Sequence, residues 1–179
     1  MAQDKFLPFA EIPSPAEDYS LGNVIARSVE GLGFRYYWAS EGLRQEDLNF
    51  KPSKQGKTTL ETLAHIYILA ETIYNVTQNI SNQRPPKNVP TDWKILRKET
   101  LLFLKKADES FRSSAPEKIE KLTIVFEREG KKMRFPFWHL LNGPLADAIY
   151  HTGQVVSFRR SAGNPIASGV NVFMGTKTP

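Results

Sequence analysis

Thr58-Thr59-Leu60-Glu61-Thr62-Leu63-Ala64-His65-Ile66 opens the segment that decides the fold. Thr58 and Glu61 stand three residues apart, the spacing of a capping box, in which hydroxyl and carboxylate satisfy free backbone amides at a helix start. Beyond them Leu63, Ile66, Tyr67, Ala70, Ile73, Tyr74, Thr77 and Ile80 recur at threes and fours. That stripe is the apolar face of an amphipathic helix, wide enough to touch more than one neighbour. His65 lies within its first two turns. Ser81 to Pro90 contains Pro85-Pro86 and cannot continue the helix, because proline lacks the amide hydrogen and clashes with the preceding turn.

Three more segments carry the same period. Leu21, Val24, Ile25, Val29, Leu32, Tyr36 and Ala39 predict a first helix from Ser20. Thr91 is placed to cap a third, with Trp93, Leu96, Leu101, Phe103, Leu104, Ala107 and Phe111 on its apolar side. Lys94, Arg97, Lys98, Lys105 and Lys106 form its polar face, and it ends near Ser113-Ser114. Phe137 to Ala162 predicts a fourth helix, stopped by Gly163 and Pro165. Pro144 interrupts it, so the helix either kinks there or truly begins there. Just before it, Leu122 to Phe126 and Met133-Arg134-Phe135 flank a charged turn containing Gly130, the pattern of a short hairpin.

Four amphipathic helices bury their stripes most simply against one another. The expected fold class is therefore all-α, a four-helix bundle with a small β-rich hairpin insertion before the last helix. Residues 1–19, with Pro8, Pro13 and Pro15, predict an extended arm that wraps the domain or a partner subunit. Residues 20–162 make the bundle, and residues 163–179 an irregular tail.

A chain of 179 residues suits one domain with a full core. With no cysteine there is no disulfide framework, thiolate metal site or cysteine nucleophile. Any metal must rest on histidine and carboxylate. No basic segment followed by an apolar run begins the sequence, and no stretch reaches the ~18 apolar residues of a bilayer span. A soluble, cytoplasmic protein without a membrane partner is the expectation. The net charge of +5 is spread over small clusters interrupted by Glu99, Asp108 and Glu109, and no nucleic-acid module is present, so no nucleic-acid partner is expected.

Asp147 and His151 in the run Asp147-Ala148-Ile149-Tyr150-His151-Thr152-Gly153-Gln154 stand four apart, so on a helix both side chains share a face. Two such groups suit one divalent ion but leave its coordination incomplete. The chain has three histidines, and His65 is the candidate third ligand. Plainer roles compete: a core histidine at His65, and at Asp147 an acid favouring a helix N-terminus. Gln154, one turn past His151, is a possible second-shell partner or a surface amide. Glu61 is a candidate general base whose capping role already explains it. His139, two turns before Asp147, reads as structural. Arg159-Arg160 either meets an anionic group or complements the helix C-terminus.

These pieces together, Thr59-Leu60-Glu61-Thr62-Leu63-Ala64-His65-Ile66 and His151-Thr152-Gly153-Gln154 with helical periods around both, resemble the DinB/YfiT-like family of metal-dependent four-helix-bundle proteins. The resemblance runs from about Ser20 to Phe173. It implies an up-down-down-up bundle, a homodimer, and a divalent ion, zinc or nickel, held by one histidine of the second helix and two of the fourth. Carried over, the ligands fall on His65, Asp147 and His151. Asp147 is a departure, since the family has histidine there. Two histidines and a carboxylate also suit iron or manganese. The implied activity is that of a hydrolase or thiol transferase acting on a small molecule. The alternative is a non-catalytic, stress-associated bundle with a degenerate site.

Overall fold

The computed structural model describes residues 7–179, so the first six residues of the expected arm lie outside it. The chain is mostly helical. Four long helices dominate: α1 (Leu21–Ser40), α3 (Thr59–Thr77), α4 (Trp93–Arg112) and α7 (Ala146–Ser161). Short helices α2 (Gln45–Asn49), α5 (Pro116–Glu120) and α6 (Trp138–Leu140) lie between them. Among the described residues no helix is long and apolar enough to cross a membrane.

Most of each predicted stripe becomes core; Leu21 and Val24, at the start of α1, stay exposed. Ile25, Val29, Leu32 and Tyr36 of α1, Leu63, Ile66, Ala70 and Ile73 of α3, and Leu96, Leu101, Leu104 and Phe111 of α4 are all buried together with Ala148 and Val155 of α7. Ile80 is the exception on the second stripe: α3 ends at Thr77, and Ile80 is half exposed. Close approach of α1 to α4 needs Gly22, where an added Cβ would stand 2.3 Å from the carbonyl oxygen of Phe111.

Side-chain contacts give the helix directions. Tyr67 and Tyr74 of α3 meet Glu99 and Phe103 of α4 in ascending order, so these two helices run the same way. Phe158, late in α7, packs on Phe50, just before α3, with ring centroids 5.7 Å apart. Arg159 ties the end of α7 to the end of α1. It is buried, and its guanidinium donates to the carbonyls of Trp38 (3.2 Å), Ala39 (3.1 Å) and Glu41 (2.6 Å), groups that a helix C-terminus leaves without intrahelical donors.

Arg97 departs from its sequence reading. Expected on the polar face of the third helix, it is buried at 2% exposure, pairs with Glu41, donates to Ser40 Oγ at 3.2 Å and stacks over Tyr37. A long aliphatic stem lets the charged head reach the polar end of α1 through the apolar layer. Helix α4 is capped by Asp92, whose carboxylate accepts from the amides of Lys94 and Ile95, and not by Thr91. Asp92 is the residue whose carboxylate sits one step nearer the free amides.

Residues 7–19 lie along α1 of the same chain. Phe9 is buried against Gly33, where an added Cβ would collide with its ring at 2.5 Å. Trp38 Nε1 donates to the Ala10 carbonyl and Arg27 to that of Pro13. Thr123–Arg128 (β2) and Lys131–Pro136 (β3) pair antiparallel around Glu129 and Gly130. Asn82–Gln83 (β1) adds to β2 in parallel, a pairing without signal in the proline-rich stretch that follows. After α7 the chain is not wholly irregular: Val170–Asn171 (β4) pairs with Thr176–Lys177 (β5).

Leucine at position 159 would leave three carbonyls of α1 without donors. Arg159→Leu is expected to lose about 2–3 kcal/mol of stability in urea unfolding, with Arg159→Lys recovering only part, because one ammonium can meet the acceptors that Nη1 serves but not also the Asn164 and Pro165 carbonyls that Nε and Nη2 reach.

Candidate metal centre

Pro144 shapes the approach to the site. Its missing amide hydrogen breaks the regular ladder, and the chain kinks within Leu141–Leu145, where Gly143 leaves helical angles (φ −98, ψ −106). The sequence left a kink and a fresh start as alternatives. Both descriptions apply, since α6 precedes the break and a regular helix resumes at Ala146. Asp147 therefore stands in the first turn of α7, with His151 one turn later.

On the facing helix the capping box starts α3 at Thr59. The Glu61 amide donates to Thr58 Oγ1 at 3.0 Å, and the Thr58 amide donates to the Glu61 carboxylate at 2.7 Å. The same bonds hold the Glu61 carboxyl below its usual range. Glu61 is thus occupied as a cap, and His65 follows one turn on.

The three predicted ligands come together across α3 and α7. His65 Nε2 is 3.2 Å from Asp147 Oδ2, and His151 Nε2 is 3.3 Å from Asp147 Oδ1. One ligand atom from each residue can be chosen so that all lie within 4.8 Å of one another. The imidazole rings meet edge to face, 4.6 Å between centroids. The site opens to solvent: side-chain exposures are 30% for His65, 41% for Asp147 and 18% for His151.

The donor set fits a divalent ion. Two donors bound to one ion at 2.0–2.2 Å, at angles near 90–110°, stand roughly 2.8–3.6 Å apart. Each nitrogen–oxygen separation falls within that range, one to each oxygen of the Asp147 carboxylate. His151 is oriented by Gln154, whose Oε1 lies 2.7 Å from Nδ1. An amide oxygen there accepts the Nδ1 proton, which leaves the Nε2 lone pair facing the cluster.

Burial pulls His65 below the ordinary histidine range; its hydrogen bond to Asp147 acts in the opposite direction, while the charges of His151 and Lys57 add to the lowering. A neutral imidazole is the form that binds metal. Lys57 and Tyr150, whose ring is 5.3 Å from that of His151, are neighbours of the cluster that the sequence pattern did not single out. The only available signal was adjacency, Lys57 to the cap and Tyr150 to His151. His139 is exposed and stacks edge-on against Phe135, outside the cluster. Arg160 is also exposed, whereas Arg159 serves the end of α1.

The sequence profile of the DinB family matches residues 26–169, which include His65, Asp147 and His151. No curated protein and no solved structure matches the chain.

In metal-free protein the His65 ring is expected to titrate below pH 6.5 by NMR. Asp147→Asn should lower the midpoint further, because it removes the carboxylate that favours the protonated ring. An upward shift in that variant would contradict the assigned contact.

Proposed function

The chain belongs to the DinB family, and from that membership and the cluster geometry we propose that it is a metal-dependent enzyme, a hydrolase or thiol transferase acting on a small molecule. The observation that carries the reading is the convergence of His65 Nε2 and His151 Nε2 on one carboxylate, that of Asp147. The metal ligands are these three, on an up-down-down-up four-helix bundle with the β2–β3 pair inserted before its last helix. The ion is zinc or nickel, with iron or manganese compatible with two histidines and a carboxylate. A cytoplasmic location belongs to the same reading.

A divalent ion bound by three protein groups supplies Lewis acidity toward a water, thiol or carbonyl at its open position. The protein's own residues prepare that position. Gln154 fixes the tautomer and ring plane of His151, and burial keeps His65 neutral near pH 7. Asp147 contributes a negative charge that a third imidazole would not, so a coordinated water is a weaker acid than in a three-histidine site. Slow hydroxide chemistry follows, which favours a nucleophile acidic in its own right, such as a thiol. Neither nucleic acid nor a membrane is a partner in this reading.

Asp147 also supports the second reading, a non-catalytic bundle with a degenerate site, because its carboxylate is already hydrogen-bonded to His65 Nε2 and stands 3.3 Å from His151 Nε2 without help. Metal content separates the two. Untagged protein is expected to retain about one divalent ion per chain, with His65→Ala and His151→Ala losing it, and with Gln154→Ala binding about 10–100-fold more weakly. Equal metal content in parent and histidine variants would leave only the degenerate bundle. Tight binding in the parent, unchanged in Asp147→His, would exclude degeneracy.

The homodimer is part of the proposal. Val172, beside Ile149 on a cavity of about 350 Å³ at α7, continues into Phe173 (92% exposed) and Met174, an apolar face suited to a second copy. Light scattering should give about twice 20.3 kDa, and Phe173→Asp should give the monomer.

A further inference from the structure

A second recess lies on the path that leads away from the metal cluster. Gly143 and Pro144 stand four and three residues before Asp147, about one helical turn along the chain. Both line a cavity of about 330 Å³ whose remaining walls come from Ile124, Phe126 and Phe135 of the β2–β3 pair. On the other side of the groove, Thr72 is seven residues after His65, on the same face of α3. Thr72 accepts from Arg84, whose guanidinium stacks over Phe126 at 4.4 Å. The cavity is thus one turn of chain from Asp147 through Gly143 and Pro144, and its Phe126 wall is tied through Arg84 to the helix that carries His65.

The walls are aromatic and set edge to face: Phe126 on Phe135 at 5.9 Å, and Phe135 on His139 at 5.9 Å. A further ring inserted there meets the edges and faces that aromatic pairs prefer. Polar groups are confined to the exposed rim, at His139 and Asn142. An apolar cavity of roughly 150 Å³ already accepts benzene, so the recess has room for a phenyl group with a substituent. A Cβ added at Gly143 would meet nothing within 4 Å. The chain leaves this space open at the kink where Gly143 departs from helical angles.

We propose that this recess is the substrate's hydrophobic subsite: it takes an aromatic group of a small organic molecule whose coordinating end, a thiolate or an oxygen donor, lies at His65, Asp147 and His151. The proposal rests on the metal reading of that cluster for the coordinating end alone. The recess itself is formed by other residues and is testable without metal. His139 and Asn142 give the aromatic group a polar exit, so a ring with a hydroxyl or carbonyl substituent is accommodated.

The first arm uses metal-free protein and benzyl alcohol, followed by NMR of the Ile124 methyl groups. A saturable shift at Ile124 is expected, lost in Asn142→Phe, which fills the recess from its exposed rim, and weakened in Phe135→Ala, which removes a wall. No shift at Ile124 in the parent would overturn the proposal, whatever the metal content. The second arm compares benzohydroxamate with acetohydroxamate on zinc-loaded protein by calorimetry. Benzohydroxamate is expected to bind about tenfold tighter. Asn142→Phe should erase that ratio while leaving acetohydroxamate affinity unchanged. Equal affinity of the two hydroxamates in the parent, or a ratio that survives Asn142→Phe, would also overturn it. Failure of the protein to retain zinc defeats the metal reading, and the Ile124 shift then decides the recess alone.

Discussion

Pro144 has no amide hydrogen to give the turn before it, and the last third of the molecule is arranged around that missing donor. The ladder of α6 cannot run into α7, so the chain kinks and Gly143 takes angles outside the helical region. Regular geometry resumes at Ala146, which puts Asp147 in a first turn facing α3. The displaced backbone also leaves the recess beside Phe126 and Phe135. One imino acid thus sets the start of the helix that carries two of the three cluster residues and opens a space nearby.

The cluster depends on a second constraint, the satisfaction of buried polar groups. At the Ser40 end of α1, cations from the last helix and from α4 meet those groups. Arg159 supplies donors to three terminal carbonyls, and Arg97 pairs with Glu41 and Ser40 inside the same polar layer. Nearby, Asp47 is gripped by Arg44 and also accepts from Asn164, and these bonds hold its carboxyl down at about 2. Loop, first helix and last helix are bound together through charge-assisted hydrogen bonds that an apolar core could not provide.

Much of this was legible in the residues. The capping box at Thr58 and Glu61 starts α3 where the spacing placed it, because both partners are local and need no tertiary help. The stripes on α1, α3 and α4 became core for the same reason: a period of threes and fours defines a face whatever packs against it. His65, Asp147 and His151 were chosen from a chain with only three histidines, and the fold brings these three together while leaving His139 outside. Other features were beyond local pattern. Arg97 looked like one more lysine-like surface charge, and nothing near it in sequence announces Glu41, 56 residues away. Arg159 and Arg160 are adjacent and chemically alike, yet one is buried and the other exposed. The β1–β2 pairing joins segments more than 40 residues apart, with no strand period in the shorter one.

What the sequence by itself determined is whatever follows from neighbours along one element: helix starts, apolar faces, the break at Pro144, and the i, i+4 placement of Asp147 and His151. Those follow from backbone geometry and side-chain shape over a few residues. What only the tertiary structure decided is whatever joins elements distant in the chain: the 3.2 Å approach of His65 to Asp147, the arginine that closes α1, and the recess walled by β2, β3 and the kink at Gly143. Such contacts depend on how helices cross and where buried charges find acceptors, and the free energy of those choices is shared across the whole core.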